Sequence, residues 1–178
     1  LIEYGGRVRR VYLPATLGTL ASAYVAGRFE SGYAAHAVTP AIREWYVEGD
    51  AEELEYAAMS EAADASLRLL AGELAAEARY ENCRVVVAAD VEESCVSPDA
   101  GDAAIARSSV RLVCTVPLSA VVSVHIDEDA PAVRSAVAAA IRALPAADDG
   151  DDDAAFVLDE ARSHELLWFD ATELVDLI

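Results

Sequence analysis

Residues 50–78 constrain the fold more than any other stretch of this chain. Asp50 stands three residues before Glu53. In that D-x-x-E spacing the cap side chain and the third helical residue satisfy each other's backbone N–H groups. Apolar residues follow at Leu54, Met59, Leu67, Leu70 and Leu74, with Ala between them, and no proline intervenes. The spacing predicts a helix over residues 51–78. Glu61, Asp64 and Arg68 form its charged face, with Asp64 and Arg68 in favourable i,i+4 order. Ala on several sides lets such a helix lie close against a sheet.

The sheet is legible on both sides of that helix. Residues 84–91 (RVVVAADV) form a near-continuous apolar run, as expected of a central strand buried on both faces. Residues 8–13 read as a strand ended by Pro14. Residues 110–116 alternate as a half-buried strand, Pro117 interrupts it, and residues 120–126 resume it. Thr16 caps a helix over 17–26, and Gly27 suits the left-handed residue that follows. Thr39 and Pro40 open a helix over 40–47, broken by Gly49. One of Asp127 to Asp129 caps a helix over 130–144, which Pro145 ends. Residues 155–160 and 164–169 read as a hairpin, after which Asp170 and Glu173 box the start of a final helix.

This order predicts one α+β domain over residues 8–178. Its sheet is mixed or mostly antiparallel, packed with the long Ala-rich helix and two to four shorter ones. Residues 1–7 are expected to be a disordered or non-native start, 92–107 a mobile loop and 148–153 an acidic linker.

Composition narrows the function classes. With 32 acidic residues against 13 basic ones, all Arg, the net charge of −19 repels phosphate backbones, so no nucleic acid is expected. No apolar run reaches the roughly 18–20 residues of a membrane span. The first residues lack the apolar core of a signal peptide, which points to the cytoplasm. Cys83, Cys95 and Cys114 are odd in number and form no CxxC pair, which argues against a disulfide framework. Cys114 then reads as a small apolar residue within a strand.

Two groups of residues have chemical capacity. His36 precedes the helix opened by Thr39, and Arg43, Glu44, Trp45 and Tyr46 lie within it. Arg43 would anchor an anion near that helix start, Glu44 and His36 would exchange protons, and Thr39 and Trp45 would line the site. Equally, Trp45 and Tyr46 suit core anchors, and Arg43–Glu44 a surface pair. His125 and Asp127 share a strand face and form the second group. Other signatures fail. His164-Glu165 has Trp168 where HExxH needs histidine. The acidic run at 148–153 offers Pro145 and Ala147 where a calcium loop needs acids. No glycine fingerprint joins the first strand to its helix, and no G-x-S-x-G elbow occurs. No metal and no cofactor are therefore expected.

Five segments together resemble a family of uncharacterised actinobacterial proteins of unknown function. They are RVYLPAT at 10–16, AVTPAIREWY at 37–46, EELEYAA at 52–58, RVVVAADV at 84–91 and HELLW at 164–168. The resemblance implies a single bacterial domain and brings no catalytic residue. The expected function is a non-enzymatic binding or protein-interaction module, as a homodimer or with a protein partner. The alternative is a small enzyme that acts on an anionic metabolite through the His36, Glu44 and Arg43 cluster.

Overall fold

The computed structural model describes residues 7–76, 82–98 and 106–178. In chain order it contains β1 (Val8–Ala15), α1 (Leu17–Ala26), β2 (Arg28–Phe29), β3 (Ala34–His36), α2 (Pro40–Trp45) and α3 (Ala51–Ala75). Then come β4 (Val85–Glu92), β5 (Val96–Pro98), β6 (Ser109–Leu112), β7 (Val116–Pro117), β8 (Val121–Asp127), α4 (Pro131–Asp148), α5 (Asp152–Arg162) and β9 (Leu166–Asp170). Seven strands form one sheet in the order β5-β6-β3-β1-β4-β8-β9, and β2 pairs with β7 apart from it. Every pairing is antiparallel. The architecture is the α+β single domain that the sequence predicts.

Strand alternation divides the core between the two faces of the sheet. Val11, Leu13 and Ala15 of β1 and Val85, Val87, Ala89 and Val91 of β4 point one way, to Leu20 of α1, Phe29 and Leu174. Tyr12, Val86 and Ala88 point the other way, to Ile42 of α2 and to Leu54, Ala58 and Ala62 of α3. Both faces of β4 are thus covered, which is why its sequence is apolar without a break. The alanines of α3 bring its axis close to the sheet. Its C-terminal half then leaves the strands: Leu67 and Leu70 pack on Val133, Val137, Ile141 and Leu144 of α4 and Leu158 of α5. Each of these two leucines is almost fully buried, a burial that stabilises by about 1.5–3 kcal/mol apiece.

At the last pair of the β1–β4 ladder, Ala15 and Val85, a side chain joins the two strands. The Ser66 hydroxyl of α3 donates to the Ala15 carbonyl at 2.7 Å and accepts from the Val85 N–H at 3.0 Å. The next strand junction is closed by charge. Arg84 and Asp127, both nearly inaccessible, form a bidentate pair with Nη2–Oδ1 at 2.6 Å and Nε–Oδ2 at 2.9 Å. Arg84 also donates to the His164 carbonyl, tying the start of β4 to the entry of β9.

Several local expectations give way. Residues 152–162 are helix, not the first half of a hairpin: Ala154, Leu158 and Ala161 are buried on one face, and the Asp151 carboxylate accepts from the Ala154 N–H. The acidic run at 148–153 is a helix–turn–helix junction, with Gly150 at φ +90°. Helix α4 continues through Pro145 to Asp148. Its N-cap is Ala130 with no side-chain bond, because Asp127 is consumed by Arg84. The strand expected over 110–116 stops at Leu112, and Cys114 beyond it is disulfide-bonded to Cys95 with a Cα–Cα separation of 5.3 Å. The odd cysteine count conceals this pair, since Cys83 stands outside any disulfide. Residues 92–98 carry the end of β4, a 3-10 turn and β5, so they are structured; 99–105 lie outside the described residues, as do 1–6 and the expected end of α3 beyond residue 76.

Candidate functional site

Three clefts meet at Asp64 of α3. The first, about 1030 Å³, runs along the outer side of the helix past Tyr46, Val47, Glu48, Gly49, Glu52, Glu53, Tyr56, Ala57, Ser60 and Glu61. The second, about 370 Å³, shares Tyr56 and Ser60 with it and continues to Arg162, His164, Glu165 and Leu166 at the entry of β9. The third, about 320 Å³, turns inward beneath α4 and α5 to His36, between Leu67, Leu144 and Leu158. The result is a trough along α3 with a side pocket.

The largest section of the trough has one sign of charge. Glu48, Glu52, Glu53, Glu61 and Asp64 line it, and no lining residue there is basic. Glu53 also accepts from the Asp50 N–H, completing the cap that starts α3. Aromatic and apolar surface accompanies the acids: Tyr56 is 58% exposed, and Tyr46 and Val47 are exposed as well. Trp45 is 62% exposed with the Arg107 guanidinium 3.7 Å above its ring, so it is no core anchor. Helix α2 is too short to bury its C-terminal end, and only Ile42 of it reaches the core.

The pocket holds a polar chain that starts on α3. Glu61 Oε2 accepts from both the backbone N–H and the hydroxyl of Ser108, and Ser108 Oγ lies 2.7 Å from His36 Nδ1. The Ser108 hydroxyl has one proton and gives it to Glu61, so its oxygen receives the N–H of Nδ1. His36 and Ser108 are buried; Glu61 is half-exposed at the junction of pocket and trough. Two bidentate pairs frame the mouth. Arg68 holds Asp148 at 2.7 Å through both Nη atoms, and Arg162 holds Asp64 at 2.9–3.1 Å. The hydrogen bonds from Arg68 keep the Asp148 carboxyl below the usual carboxylate range, and those that Arg162 donates to Asp64 raise the Arg162 pKa. These pairs replace the i,i+4 contact expected between Asp64 and Arg68, because helices α4 and α5 bring closer partners.

The other expected residues are scattered. Arg43 lines a separate cleft of about 410 Å³ with Arg9, Arg10, Glu55 and Glu93. Glu44 is exposed on α2, and Thr39 is its N-cap, accepting from the Ile42 N–H and donating to the Arg107 carbonyl. His36, Arg43 and Glu44 therefore do not converge. His125 bonds Ser123 at 3.1 Å while Asp127 is held by Arg84, so that pair is divided too. Burial, then the nearby Arg10 charge, lowers the His125 pKa. On the same sheet face burial and Glu55 push the Tyr12 phenol up to about 12. The sequence marks Glu61 and Asp64 only as a helix face, and it has no signal for Ser108, which reaches Glu61 from 47 residues away.

Among the described residues no helix is long and apolar enough to cross a membrane, and no group of three His, Cys, Asp or Glu side chains is arranged to hold a metal ion. No curated protein and no solved structure matches the chain. A family model matches residues 9–178, nearly its whole length, and that family has no assigned function. The chain belongs to the family of unknown function DUF6912.

Proposed function

We propose that the protein is a non-enzymatic interaction module whose trough along α3 receives a basic segment of a protein partner. The observation that carries this reading is the grouping of Glu48, Glu52, Glu53 and Glu61 with exposed tyrosines in the largest section of the trough, which no basic side chain lines. An Arg or Lys side chain lays its aliphatic stem on a tyrosine ring while its charged head reaches a carboxylate. Elsewhere acids are already neutralised by arginine, as in the pairs Arg10–Asp90 and Arg68–Asp148, and at the end of the trough Arg162 neutralises Asp64 in the same way. The net charge of −19 steers a cationic partner toward the molecule, and the trough gives it a place to dock.

A labelled peptide of alternating Arg and Ala, followed by fluorescence anisotropy, tests the proposal. Replacing Glu48→Gln and Glu52→Gln together should weaken binding about tenfold, and Tyr56→Ala should weaken it by a similar factor. Replacing Glu92→Gln and Asp176→Asn, both outside the trough, should change it by less than about twofold. Equal losses from the two double variants would mean that only net charge matters, and the docking site would be abandoned.

A second reading, a small enzyme acting on an anionic metabolite, is favoured by the Glu61–Ser108–His36 chain in a pocket rimmed by Arg68 and Arg162. It requires that small carboxylates or phosphates raise the melting temperature of the wild type and not of Arg68→Gln.

A further inference from the structure

The two ends of the seven-stranded sheet are treated differently. At one end β5 is three residues long, finishes in Pro98 and is held through the neighbouring Cys95 to Cys114. A short strand with a proline and a covalent tie is a poor template for another chain. At the other end β9 pairs with β8 along all five of its residues, and among the described residues its far side meets no strand. It carries no proline and no basic residue. Leu167 and Trp168 on it are 45% and 60% exposed, and Val175 and Ile178 are exposed just beyond it.

The hydrogen-bonding phase of β9 follows from its neighbour. The Asp127 N–H points to the Arg84 carbonyl, toward β4. Alternation along β8 then directs Ile126 and Val124 to β9, where they face Leu167 and Phe169. Leu166, Trp168 and Asp170 therefore turn their backbone groups outward. The Asp170 N–H agrees with this phase, since it is taken by the Glu173 side chain at 2.8 Å rather than by β8. No described residue hydrogen-bonds the outward groups of Leu166 or Trp168.

We propose that this edge of β9 accepts an added strand from a protein partner: an extended segment with apolar residues at alternate positions and Arg or Lys at both ends. Backbone groups of Leu166 and Trp168 would supply the ladder bonds, and Leu167 and Trp168 the apolar contact on the two faces. Charge selects the ends. Glu165 stands just before the strand, and Asp170, Glu173 and Asp176 follow it. The same acids disfavour a second copy of this chain, because an antiparallel pair centred on Trp168 sets Asp170 of each copy beside Leu166 and Glu165 of the other. This surface adjoins the trough at Glu165 and Leu166 but lies apart from its acidic section along α3, and the test separates the two.

The probe is a fluorescein-labelled peptide of alternating Val and Thr with Arg at both ends, titrated with the full chain. Saturable binding is expected. Methylating alternate peptide nitrogens, so that the donors facing the edge are lost, should weaken it about tenfold or more. Exchanging the terminal Arg for Glu should weaken it as much. Trp168→Pro removes an outward N–H and spares the bonds to β8, so it should abolish binding with an unchanged circular dichroism spectrum. If that variant fails to fold, Trp168→Lys and the methylated peptide still decide. The trough variant with Glu48→Gln and Glu52→Gln should bind this peptide within about twofold of wild type. Equal binding of the methylated peptide overturns strand addition. A wild-type dimer in light scattering that Trp168→Lys dissociates overturns the assigned occupant.

Discussion

Replacing Ser66→Ala removes one oxygen atom and unpairs two backbone groups. The hydroxyl is the partner of both the Ala15 carbonyl and the Val85 N–H, and the residue is wholly buried. Water does not reach the two groups, since Ala15 and Val85 are fully buried at the last pair of the β1–β4 ladder. Taking about 1–2 kcal/mol for each group, the lower part of the about 1–3 kcal/mol that a buried group without a partner costs, the expected loss is about 2–4 kcal/mol. Urea unfolding of the oxidised chain provides the assay. With a slope of about 2 kcal/mol/M for a domain of this size, the midpoint should fall by about 1–2 M at constant slope. Ser60→Ala is the control, since that exposed hydroxyl bonds only the Tyr56 carbonyl within its own helix, and it should cost less than about 0.5 kcal/mol. Ser66→Ala at the level of the control would refute the reasoning: the ladder would then have closed on itself, and the hydroxyl would not be the link between the strands.

Arg84→Met should destabilise by about 3–5 kcal/mol in the same assay, because it leaves the Asp127 carboxylate buried without its guanidinium. Adding Asp127→Asn should recover part of that loss, since the amide oxygen still accepts from the backbone N–H of residue 84 and no charge is stranded. The lowered His125 pKa makes stability depend on pH. The unfolded chain binds the proton first, so the contribution is fully present above about pH 6.5 and is lost as pH falls from there through the folded value. The urea midpoint should drop more steeply below about pH 6.5 in the wild type than in His125→Gln, and parallel curves would contradict the assignment.

What the sequence makes legible is what depends on near neighbours. The Thr16, Thr39, Asp50 and Asp170 caps all form, because each bonds an N–H two or three residues away. The apolar run of β4 announces a strand covered on both sides, and it is one. Helix α5 escapes because five aspartates around Gly150 resemble a loop, although they serve as a helix end and a helix start. Pro145 escapes for the opposite reason: it is read as a stop, yet α4 passes through it. The candidate site is legible only in fragments. Glu61, Ser108 and His36 come from α3, from the approach to β6 and from β3, and no spacing in one dimension joins them. The same holds for Asp127, whose partner Arg84 lies 43 residues earlier.

The pairing at the middle of the sheet governs how the chain reaches this state. β1 has no sequential neighbour to bond: its longest ladder is with β4, where Arg10 meets Asp90, 80 residues apart. Closing a loop of that length carries an entropic cost of about 4 kcal/mol before the ladder repays it. A chain emerging from the ribosome therefore displays the apolar Val11–Leu13 strip, unpaired on that side, until β4 has followed it out. Helix α3 is complete before that moment, and it already carries the Ser66 hydroxyl that will bridge the two strands. Folding speed should thus follow the helix content of α3, and substitutions that weaken it, such as Ala58→Gly, should slow refolding more than they speed unfolding.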